Sequence, residues 1–124
     1  MDNETLKKLS KDPSGLITYE YMANHIGNLD EDKDALVDNI IRVDKNGQFV
    51  VSSARYLHAI DPEKYYDSID KLIKAAIEKD REHNYIGDLL SGIWGQDYKE
   101  NAEELSKKDD NFRRIYKRLF PVGI

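Results

Sequence analysis

The sequence predicts an all-α protein, a compact bundle of six to seven helices forming a single domain over residues 1–124. Three observations carry this reading. Apolar residues recur at three- and four-residue intervals along most of the chain, the spacing of one helical face. Turn residues such as Asp12-Pro13-Ser14-Gly15, Asn46-Gly47 and Asp61-Pro62 punctuate the periodic stretches. The one β-branched, aromatic patch, Gln48 to Val51, is too short to stand as an independent strand.

Taken in order, residues 4–11 read as a short helix with Leu6 and Leu9 on one side, stopped by Pro13 and Gly15. Thr18 is placed to cap a second helix running to about Gly27, with Tyr19, Met22, Ala23 and Ile26 sharing a face. The run DKDALVDNIIRVD is a third, with Leu36, Val37, Ile40, Ile41 and Val43 facing inward and Lys45-Asn46-Gly47 ending it. Ser52 or Ser53 is expected to cap a fourth that carries Ala54, Tyr56, Leu57 and Ile60. Asp61-Pro62-Glu63 combines an N-cap, a proline at the first helical position and an acid near the positive end of the helix dipole, so a long central helix is expected to about Arg81. Its inward stripe is Tyr65, Tyr66, Ile69, Leu72, Ile73, Ala76 and Ile77. Asn84–Trp94, Tyr98–Lys107 and Asn111–Phe120 complete the helices, and close packing accounts for Gly87 and Gly92 inside the first of these.

Composition narrows the function classes. The chain has no cysteine, which excludes disulfides and cysteine-ligated metal sites. Neither a secretory leader nor an apolar run of about 18 residues is present, so no membrane span is expected and the reading is cytoplasmic. A net charge of −5 argues against broad nucleic-acid affinity. Residues 107–124 run the other way, with Lys107, Lys108, Arg113, Arg114, Lys117 and Arg118 against Asp109 and Asp110.

One layout recurs in the first half of the chain. In KDPSGLITYEYM and VDKNGQFVVSSARYL an Asp is followed three residues later by Gly, then by a β-type apolar residue and a new helix. Asp12, Ser14, Gly15 and Ile17, and likewise Asp44, Asn46, Gly47 and Phe49, stand at the third, fifth, sixth and eighth positions of a calcium loop. Over residues 4–60 the chain resembles a degenerate EF-hand pair. The resemblance implies two helix-loop-helix units joined by a tiny two-strand bridge between Ile17 and Phe49. It does not imply calcium binding, because Ser10 and Arg42 occupy the first ligand position and Tyr21 and Ser53 the twelfth, where a bidentate Glu belongs. Ordinary Asx and glycine turns between helices account for the same residues.

Other polar clusters have plain readings. Asp30, Glu31, Asp32 and Asp34 suit a solvated helix start. Asp80 and His83 are three apart but lack the further carboxylates of a dimetal site, so they read as a surface pair at a helix C-terminus. No catalytic residue, metal ligand or cofactor is assigned.

The tail DDNFRRIYKRLF is a basic amphipathic helix. It supplies the candidate partner-binding residues Arg113, Arg114, Tyr116, Lys117 and Arg118. The expected function is a non-enzymatic protein-protein interaction module whose partner is acidic. The alternatives are a nucleic-acid-associated regulator using the basic helix, and a small enzyme whose site assembles from residues distant in sequence. The oligomeric state is not fixed by the sequence.

Overall fold

The computed structural model describes residues 1–121, and their regular structure is helical throughout. The elements are α1 (Asn3–Ser10), α2 (Leu16–Asn24), α3 (Lys33–Val43), α4 (Gln48–Ile60), α5 (Tyr66–Lys79), α6 (Gly87–Trp94), α7 (Ala102–Lys108) and α8 (Asp110–Leu119), with a 3-10 turn at Ile26–Asn28. The expected strand bridge does not form: Ile17 lies in α2 and Phe49 in α4. Among the described residues eight α-helices form, one more than the upper figure of the expected six to seven, and each overlaps one of the segments that the sequence marks as helical. None of them is long and apolar enough to cross a membrane.

By connectivity the first six helices fall into three hairpins, α1–α2, α3–α4 and α5–α6, and the most extensive packing is between successive units, α4 on α5. The hairpins stack, since α1 meets α3 and α3 meets α5 in one row while α2 meets α4 and α4 meets α6 in the other. The α7–α8 pair closes the stack, with α8 lying against α5 and α6. One apolar core runs through it, from Leu9 and Met22 through Ile40, Leu57, Leu72 and Ile77 to Leu89, Phe112 and Ile115.

Every hairpin turn is built on a buried aspartate. Asp12 Oδ1 accepts from the N–H groups of Ser14 (3.1 Å) and Gly15 (3.0 Å), and its Oδ2 from the N–H and hydroxyl of Thr18 (both 2.7 Å). Asp44 repeats this with Asn46 (3.1 Å) and Gly47 (2.9 Å) on one oxygen and Phe49 (2.9 Å) and Val50 (2.8 Å) on the other. Asp80 takes Asn84 (2.9 Å) on Oδ1, and Tyr85 (2.7 Å) and Ile86 (2.8 Å) on Oδ2. In all three turns the sixth residue after the aspartate donates its backbone N–H to Oδ2. A carboxylate removed from water is tolerable only with this degree of hydrogen bonding, and it satisfies N–H groups that a helix start leaves without partners.

The third residue after each aspartate is left-handed: Gly15 at φ 105°, Gly47 at 91° and His83 at 59°. His83 therefore holds the glycine position of a third copy, which its side chain conceals in the sequence. Asp80 is 2% exposed, so the expected surface pair of Asp80 and His83 is instead the polar centre of a turn. The turns also touch one another. A Cβ on Gly15 would lie 3.3 Å from Asp44 Cβ and 3.2 Å from Phe49 Cβ, and one on Gly47 would lie 3.2 Å from Asp80 Cβ. The first two turns thus seat the glycine of one hairpin on the aspartate of the next.

A left-handed backbone costs a non-glycine residue about 1–2 kcal/mol, partly offset by the lower chain entropy of the unfolded state. His83→Gly is accordingly expected to stabilise the protein by about 0.5 kcal/mol. Urea denaturation reads this directly, and a loss above about 1 kcal/mol would mean that the half-buried ring contributes packing worth more than the strain.

Several helix starts differ from expectation for this same reason. Asp12 and Asp44 cap from four residues upstream, so α2 begins at Leu16 and α4 at Gln48 without caps from Thr18, Ser52 or Ser53. Ser52 instead donates back to Gln48 O (3.1 Å), and Ser53 is buried with no partner for its hydroxyl among the described residues. Asp61 does cap locally, accepting from Lys64 N–H (3.1 Å), but residues 62–65 form turns and α5 starts only at Tyr66. Tyr66 is consequently 68% exposed rather than part of the buried stripe. Gly92 does meet close packing, from the Arg55 side chain on α4, whose Nε would sit 2.9 Å from a Cβ there. Asp32 makes no side-chain cap bond at α3, whereas Asp30 forms an ion pair with Lys64 at 3.0 Å.

Candidate interaction surface

Polar groups between the first two hairpins serve as struts. Asn39 on α3 donates to Leu9 O (2.9 Å) and to Thr18 Oγ1 (3.0 Å), and Arg42 donates to Asn39 Oδ1 (2.8 Å) and Ser10 O (3.2 Å). Arg42 and Ser10, which fall at the first loop positions in the EF-hand register, are thereby bound to each other. Burial pushes the Asp12 carboxyl upward, but the Thr18 hydroxyl and N–H, with the N–H groups of Gly15 and Ser14, outweigh it and hold the group below the usual carboxylate range. Adding millimolar calcium is expected to leave the thermal melt coincident with that in chelator. A rise of more than about 5 °C, roughly 1 kcal/mol, would show a cation binding to the folded chain and displacing these bonds.

The tail is organised by Asp109, the N-cap of α8. Its Oδ1 accepts from the N–H groups of Asn111 (3.0 Å) and Phe112 (3.3 Å), and its Oδ2 from Trp94 Nε1 (2.9 Å), which ties α8 to the end of α6. Phe112 and Ile115 are fully buried, and Phe112 packs edge-on to Trp94 with ring centres 5.3 Å apart.

The five candidate residues of the tail fall into distinct environments. Arg113 pairs with Asp110 one turn earlier, which holds the Asp110 carboxyl below its usual range, chiefly through that hydrogen bond. Arg118 reaches across to donate to Ile77 O near the end of α5. Tyr116 is half-buried in an aromatic row, stacked on Phe112 at 5.3 Å and tilted against Phe120 at 4.8 Å. Arg114 is half-buried, and Lys117 is exposed. The helix therefore presents fewer free charges than its sequence suggests. Arg113 and Tyr116 come together on a cleft of about 800 Å³ between α7 and α8, flanked by Lys99, Glu103, Ser106 and Lys107.

A second cleft, of about 440 Å³, opens where α5 passes the α6 end and the α7–α8 junction. Ile69, Ile73 and Trp94 give it an apolar floor, and Asp70, Asp109 and Asn111 give it polar groups. Nothing in the sequence marks it, because residues 41 positions apart meet there: Asn111 Nδ2 donates to Asp70 Oδ1 at 2.7 Å. Comparison with known protein families, with curated proteins and with solved structures finds no match for the chain.

Proposed function

We propose that this chain is a non-enzymatic protein-interaction module, and that α8 with the α7–α8 cleft is its recognition surface for an acidic partner. The observation that carries this is the meeting of Arg113 and Tyr116, with Lys99 and Lys107 beside Glu100 and Glu103, on one concave surface at the closed end of the hairpin stack. Stacked helical hairpins suit such a role, because each unit contacts mainly its neighbours and the stack presents extended surfaces. Tyr and Arg are the side chains most enriched among interface hot spots. The chain's net charge of −5 favours a short acidic segment over a long polyanion such as nucleic acid.

The test separates surface from scaffold. Arg113→Glu/Lys117→Glu is expected to change stability by no more than about 1 kcal/mol in total, as exposed positions generally do. Arg118→Glu is expected to cost about 1–2 kcal/mol, because it removes the charged donor from Ile77 O. A partner recovered by affinity capture should lose association rate with the double variant and show a moderate salt dependence. A partner bound equally well by parent and double variant would overturn the α8 reading. A salt slope set by the number of neutralised phosphates would point instead to nucleic acid.

A further inference from the structure

We propose that the 440 Å³ cleft between α5 and the α7–α8 junction is a docking site for an arginine side chain presented by a partner polypeptide. The proposal rests on the reading of the chain as a binding module, but on different residues from those of α8's basic face.

Among the described residues, the ion pairs around the cleft leave Asp109 without a cationic partner. Lys74 is paired with Asp70 (2.6 Å), Lys108 with Glu104 (3.7 Å) and Arg113 with Asp110. Among the described residues, Asp109 accepts only from the neutral N–H groups of Trp94, Asn111 and Phe112. A second, independent feature points the same way. Asn111 is 6% exposed, lines the cleft and has no partner for its Oδ1 among the described residues. Its orientation is set, since Nδ2 donates to Asp70 Oδ1, so the atom left over is an acceptor. A buried acceptor without a partner costs free energy that an incoming donor recovers.

The matching group is a planar, multi-donor cation with an apolar stem. A guanidinium offers five N–H donors to acceptors such as Asp109, Asp70 and the Asn111 amide, and stacks on the face of an aromatic ring such as Trp94. Its methylene stem suits the Ile69 and Ile73 floor. The rim argues for a polypeptide rather than a free small molecule. Tyr66 at the mouth is 68% exposed, and Ile60, lying in the chain between the lining residues His58 and Pro62, is 48% exposed, giving neighbouring residues of a peptide apolar surface to cover.

The test uses the whole chain labelled with ¹⁵N and three probes: acetyl-Leu-Arg-Leu-amide, the same peptide with citrulline, and N-acetyl-arginine methylamide. Citrulline keeps the shape and loses the charge. The arginine peptide is expected to shift the Trp94 indole and Asn111 side-chain amide signals saturably, with roughly millimolar affinity or better, and the citrulline peptide to bind at least about tenfold more weakly. Asp70→Asn, at a half-exposed position, should weaken the arginine peptide severalfold while leaving the thermal melt near that of the parent. Equal binding of arginine and citrulline peptides, shifts mapping elsewhere, or no saturation would each overturn the proposal. Binding of the single-residue amide as tight as that of the peptide would overturn the assignment to a polypeptide. Because the titration involves no cellular partner, its failure leaves the α8 surface to be judged on its own experiment.

Discussion

Asp44→Ala is expected to cost about 3–5 kcal/mol, a large share of the ~5–15 kcal/mol that holds a domain together. The wild-type carboxylate is fully buried and accepts four backbone N–H groups, those of Asn46, Gly47, Phe49 and Val50. Alanine leaves these donors without partners, and each one that water cannot reach costs about 1–3 kcal/mol. Gly47 N and Val50 N are the buried members of the set, so two donors already account for the lower bound. Alanine keeps the Cβ on which Gly15 rests, so the loss comes from the hydrogen bonds rather than from that contact. Asp44→Asn separates the causes: it keeps the volume and one acceptor oxygen, and should lose about half as much. Urea denaturation of the three proteins measures this, and a loss below about 1 kcal/mol for Asp44→Ala would show that the turn is held by its glycine geometry rather than by its carboxylate.

The sequence announces these turns only in part, for physical reasons. Gly15 and Gly47 are visible because only glycine adopts a left-handed backbone without penalty, so two copies of the layout stand out. The third copy is invisible because His83 accepts the strained conformation and the spacing lengthens from 32 residues between Asp12 and Asp44 to 36 between Asp44 and Asp80. The stripes of α3 and α5 were legible from period alone, and Leu36, Val37, Ile40, Leu72, Ile73 and Ile77 are buried as that period requires. The caps were not. A serine or threonine at a helix start resembles an N-cap in sequence, yet here aspartates four residues upstream do the capping, and Thr18 is a partner of the aspartate rather than a cap itself. Charges on α8 were countable, but whether an arginine faces solvent or reaches a carbonyl on another helix depends on tertiary geometry, as Arg118 and Ile77 illustrate. The cleft beside α5 was beyond reach for the same reason: Asp70, Trp94 and Asn111 meet only once α8 has docked.

The second large effect is expected from Leu72→Ala. Leu72 is fully buried on α5, the helix that packs most extensively against α4, and it belongs to the same core cluster as Leu57, Ala76 and Ile115. Truncation loses the transfer energy of the removed carbons and leaves a cavity that rigid helices on both sides only partly close, for a combined cost of about 2–5 kcal/mol. The counterpart is Tyr66→Ala six residues earlier on the same helix. A strict helical stripe would bury both side chains, but α5 begins at Tyr66 and leaves this ring 68% exposed, so its removal should change stability by no more than about 0.5 kcal/mol. The pair therefore tests the helix's start and its rotation at once. Equal losses at the two sites would return Tyr66 to the core and lengthen the helix toward Asp61. A loss below about 1 kcal/mol at Leu72 would move α5 from the centre of the stack to its surface, and the three-hairpin arrangement would fail with it.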